Sequence, residues 1–65
     1  MKRILMADYL KEILTKGVEM HIAGEFDLAC QLYTSVLKLH PQHADANHNI
    51  GLLKLDMGYD AEAHL

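Results

Sequence analysis

The chain is poor in the residues that staple, kink or anchor small proteins. Its 65 residues include no tryptophan, one phenylalanine, three tyrosines, one proline and one cysteine. A lone Cys30 excludes an intramolecular disulfide, and a single thiol suits a reducing compartment better than a secreted scaffold. No stretch approaches the ~18 consecutive apolar residues of a membrane span. Lys2 and Arg3 precede Ile4, Leu5 and Met6, but Asp8, Lys11 and Glu12 follow too early for the apolar region of a signal peptide. A formal charge of −3 and a pI near 5.9 provide no basic footprint for nucleic acid or an anionic membrane. There is no Walker loop, no Gly-x-Ser-x-Gly elbow and no paired-carboxylate constellation. These absences lead to the expectation of a cytoplasmic, soluble, non-enzymatic chain without a cofactor.

What is present is apolar substance. At 51% hydrophobic residues the chain is too apolar to be disordered. It reads as one domain over 1–65, of a size that buries only about 60% of its unfolded surface. A single core this small rarely supplies more than roughly 3–5 kcal/mol without a staple, a metal or a partner.

The apolar residues recur at helical spacing. From about Arg3 to Ala23 the series is Leu10, Ile13, Leu14, Gly17, Val18 and Met20. Gly24 ends this helix by offering positive φ beyond its C-terminus. Whether the segment from Met1 to Tyr9 extends the helix stays open. A second helix starts near Glu25 or Phe26 and carries apolar residues around more than half its circumference, which predicts two buried faces. Pro41 closes it by pushing His40 out of the α region. A third helix is expected from about Ala44 to Met57. Gly58 is expected to turn the chain into the first two turns of a fourth, truncated helix over Tyr59 to Leu65.

A spaced triplet then organises the whole chain. Gly17, Gly24 and Ala29 are followed by Gly51, Gly58 and Ala63, each displaced by 34 positions. Glycine inside a helix costs about 1 kcal/mol relative to alanine, so Gly17 needs a packing reason. Close approach to Ala29 on the second helix supplies one, with Phe26 and Tyr33 filling the remaining volume. In period and pattern the chain resembles the tetratricopeptide repeat family. Gly17, Gly24, Phe26, Ala29, Tyr33 and Pro41 stand where its motif expects a small residue, a turn glycine, an aromatic, an alanine, an aromatic and a proline. The resemblance implies an all-α fold of antiparallel helical hairpins, with one full repeat at about 10–43 and an incomplete one at about 44–65. Lys16, Asn47 and Lys54 depart from the motif, and the family's polar capping helix is missing.

In such arrays the first helix of each hairpin lines a concave groove. Carried over, that wall comprises Leu14, Thr15, Val18, His21 and Ile22, then Asp45, His48, Asn49, Leu52 and Leu55. Asn49 is the favoured polar contact, because its amide offers both a donor and an acceptor. Leu14 and Val18 stand where chaperone-tail-binding members carry polar clamp residues, so the groove suits an apolar peptide, a neighbouring helix or a copy of itself. The expected role is a protein-interaction or assembly module, homodimeric or larger. Leu32, Val36, Leu39, Leu53 and Leu65 are candidates for an uncovered patch. An alternative makes the chain part of a longer repeat protein, one joined to a catalytic domain. A third reading, a small metal- or redox-active protein, ranks last. His40, His43 and His48 match no closed zinc spacing, Cys30 has no activating base placed by sequence, and Asp56, Asp60 and Glu62 lack the alternation of a calcium loop.

Overall fold

The structure is a computed structural model that describes the backbone of residues 5–63 and the side chains of residues 5–58. Three helices account for nearly all of it: α1, Met6–Ile22; α2, Phe26–Leu39; and α3, Ala44–Ala63. Among the described residues there is no strand.

Each boundary has a local cause. At the end of α1, Gly24 takes φ +83°, the left-handed conformation that glycine tolerates. Its N–H donates to His21 O, and the Glu25 N–H donates to Met20 O at 2.8 Å, the paired bonds of a Schellman ending. At the end of α2, His40 leaves the helical region at φ −146° immediately before Pro41. The next helix is capped by a histidine: the Ala46 N–H donates to His43 Nδ1 at 3.2 Å. Asn47 then clamps the turn, its Nδ2 donating to the carbonyls of Pro41 and His43, both at 3.1 Å. The histidine loop and the motif-breaking Asn47 thus have a structural use at this turn.

The expected turn at Gly58 is absent: α3 runs through it to Ala63 as one helix. The helix absorbs the glycine because the cost is only about 1 kcal/mol and nothing packs there to drive a reversal. The predicted fourth helix is therefore the tail of the third, with Leu65 and the side chains of Tyr59, Asp60, Glu62 and Ala63 outside the described residues. The start of α1 at Met6 places only part of the N-terminal segment in the helix, and residues 1–4 also lie outside the description.

Two small buried clusters hold the helices together. Leu10, Val36 and Ala46 form one, with Ile13, Leu14 and Leu37 against it. Ala29, Tyr33 and Leu53 form the other, flanked by Val18, Met20, Phe26, Cys30 and Ile50. The helix α2 contributes to both and lies between its neighbours, which fits its wide apolar arc. This placement corrects the expected uncovered patch: Val36 is fully buried against Leu10 and Ala46, and Leu53 against Ala29 and Tyr33, while Leu39 stays half exposed.

The seam between α1 and α2 is tight at one point. A Cβ on Gly17 would lie 2.6 Å from Tyr33 Cε1 and 2.8 Å from Cδ1, closer than real carbon contacts. The glycine is needed for the Tyr33 ring, where the expected counterpart was Ala29. Ala29 instead sits in the cluster that Tyr33 and Leu53 close. The molecule is long and thin, 53 × 22 × 13 Å. Its radius of gyration of 13.1 Å exceeds the about 11 Å usual for a globule of this length.

Candidate functional site

The helices α1 and α3 run side by side in the same direction. Leu10 and Ala46 share a buried cluster near their starts, and His21 meets Asp56 near their ends. The paired residues stand 36 and 35 positions apart, close to the 34-residue spacing of the glycine–alanine triplet. The expected groove residues lie on these two helices.

They divide into two groups. Leu14 and Val18 are partly buried in the helix seams, and so contribute to cohesion as much as to any groove. His21 and Asn49 are half-buried as well. Thr15 and Ile22 remain exposed on α1, as do Asp45, His48, Leu52 and Leu55 on α3. Ile22 is 82% exposed and Leu55 59%, a large amount of bare aliphatic surface for a chain of this size. The Thr15 hydroxyl donates to Lys11 O at 2.9 Å within its own helix.

His21 is the polar hub. Its Nε2 lies 2.6 Å from Asp56 Oδ2, and its Nδ1 lies 3.4 Å from the Tyr33 hydroxyl. With the proton on Nε2 the imidazole donates to the carboxylate and accepts from the phenol, which satisfies both ring nitrogens. The ring also stands edge-on to Phe26 and Tyr33, with centroids 5.8 and 6.3 Å away. One residue of α1 thereby touches α2 through aromatics and α3 through a carboxylate.

The order hydroxyl, imidazole, carboxylate is that of an acid–base relay, but the chemistry does not follow. Tyr33 is fully buried, and burial pushes its phenol above the ordinary range, the opposite of activation. A relay with no accessible nucleophile can orient helices but cannot attack a substrate. Cys30 is half-buried on α2, packed against the cluster of Ala29, Tyr33 and Leu53. It faces a shallow hollow of about 560 Å³ that is also lined by Asp27, Gln31, Thr34, Ser35, Lys38 and Met57. Among the described residues no cluster of three or more histidine, cysteine or carboxylate side chains is placed to hold a metal. No described helix is long and apolar enough to cross a membrane.

Asp56 is the residue that sequence reasoning missed, having been weighed only as a member of a calcium loop. The signal was available in principle. Once two helices repeat in parallel, a residue on the first lies beside the one some 34 or 35 places later, which sets Asp56 beside His21.

No family model matches the chain, and no curated protein or solved structure matches it either.

Proposed function

We propose that the chain is a non-enzymatic helical interaction module, built as tetratricopeptide-type hairpins and used to assemble proteins. Its partner is a protein or peptide segment rather than nucleic acid or membrane, and a copy of the chain itself qualifies. The groove between α1 and α3 is the recognition surface, with Ile22, Leu52 and Leu55 as apolar contacts and Asn49 as the polar one.

One observation carries this reading. Ile22 on α1 is 82% exposed, and Leu52 and Leu55 on α3 are 44% and 59% exposed. Exposed apolar surface beyond a few hundred Å² marks an interaction site in a soluble chain.

The test is a dilution series followed by light scattering and circular dichroism, repeated with an added amphipathic helical peptide of leucine and lysine. Helix that is gained or stabilised on self-association or peptide binding supports the module. A chain that stays monomeric, and whose melting temperature the peptide leaves unchanged, overturns it.

A further inference from the structure

The joint between α2 and α3 is built on a side chain that titrates. His43 stands immediately before α3, and its carbonyl accepts the first helical bond, from the Asn47 N–H at 3.0 Å. Its ring nitrogen Nδ1 accepts from the Ala46 N–H at 3.2 Å. Serine, threonine, asparagine and aspartate usually hold this position, and their oxygens still accept in mild acid. A histidine accepts only while Nδ1 carries no proton.

Water cannot take over this bond. The first N–H groups of a helix have no partner within it. Ala44 and Asp45 are exposed, so solvent reaches theirs. Ala46 is fully buried in the cluster that joins it to Leu10 of α1 and Val36 of α2. Its N–H depends on His43, and a buried donor left without an acceptor bears its full desolvation cost. Ala46 is also the residue by which the start of α3 is held to both other helices.

We propose that His43 is an acid-sensitive latch, and that protonation of its ring frees the first turn of α3 from α1 and α2. This inference goes beyond the interaction reading and does not depend on it. Histidine changes charge between about pH 5 and 8. The protonated ring has two N–H donors and no acceptor, so Ala46 loses its partner. It also places a positive charge at a helix N-terminus, the end that favours anions. Both consequences favour the neutral ring in the closed joint. Closure is therefore complete on the alkaline side of this range and is lost as the pH falls.

The titratable and charged groups at the joint oppose this release only weakly. His40 ends α2 with its ring edge-on to that of His43, centroids 5.5 Å apart, and a charge on both rings adds repulsion. Lys38 lies in the last turn of α2 and Asp45 in the first turn of α3. The helix α1 meets the joint through Leu10, whose charged neighbours in sequence, Lys11 and Glu12, are exposed. Among the described residues none of these groups forms an ion pair with His43.

The test follows hydrogen exchange of the Ala46 amide by NMR in the full chain, from about pH 7.5 to about pH 5.5. A local readout is needed because His21, faced by Tyr33 of α2 and Asp56 of α3, also titrates in this range. The protection factor of Ala46, corrected for intrinsic exchange, should fall by about tenfold or more, while that of Leu53 in the middle of α3 holds. His43→Asn and His43→Asp each supply a favoured cap that does not titrate here, and both should keep Ala46 protected at either pH. His48→Asn, on the exposed side of α3, should leave the acid loss in place. Level protection of Ala46 across this range in the wild-type chain overturns the latch. So does an equal loss in the two His43 variants, or a loss that Leu53 shares in full.

Discussion

Gly17 and Gly51 occupy the same place in the repeat, 34 residues apart, and have opposite surroundings. Gly17 is buried, and the ring of Tyr33 lies where its side chain would begin. Gly51 is exposed with nothing before it. A glycine within a helix costs about 1 kcal/mol wherever it stands. At Gly17 close packing of a fully buried aromatic offsets that cost within the chain. At Gly51 nothing described within the chain does. Identical residues 34 positions apart thus face a buried ring in one case and open space in the other.

The largest test of this comparison removes the ring. Tyr33→Ala should cost about 3–5 kcal/mol, comparable to the whole stability a core of this size supplies. The expected result is loss of the cooperative thermal transition followed by circular dichroism. Next comes the glycine pair itself. Gly17→Ala should destabilise by about 1–3 kcal/mol, because the added methyl meets a ring with no space to retreat. Gly51→Ala in dilute solution should stabilise by up to about 1 kcal/mol through helix propensity alone. Urea denaturation of the two variants would show opposite signs, and equal signs would dissolve the contrast.

A smaller effect belongs to the polar tie between the repeats. Asp56 is half exposed, so Asp56→Asn should cost less than about 1 kcal/mol and lose most of that difference in high salt. The smallest effect is confined to alkaline solution. Burial raises the Tyr33 phenol above the ordinary tyrosine value of 10.0, so the folded chain holds its proton more tightly than the unfolded one. The resulting contribution is complete below that value and fades as the pH rises through the folded-state titration. Tyr33→Phe should remove this alkaline loss, read by pH titration of the melting temperature.

Much of the fold was legible in the chain. Helix positions followed from apolar spacing, and the ends at Gly24 and Pro41 followed from backbone chemistry that depends only on the residues concerned. Gly58 misled for a physical reason: glycine permits a turn without requiring one, and at Gly24 the reversal is secured by hydrogen bonds to His21 and Met20. The groove list was legible only in part. Spacing put Leu14 and Val18 on the apolar stripe of α1, but how far they sink into the seams depends on the neighbour packed beside them. His21 shows the same limit, since its partner Asp56 lies 35 residues away on another helix.

By itself, then, the sequence determined the helical character of the chain, the punctuation at Gly24 and Pro41, and the 34-residue repeat. Each depends on a residue's own conformational preferences or on a periodicity that needs no partner. The tertiary structure alone decided that Tyr33 lies on Gly17, that His21 bridges to Asp56, that α3 passes straight through Gly58, and that one face of α3 remains uncovered. These are questions of which surface meets which, and contact free energy is set by pairs of surfaces rather than by either one alone.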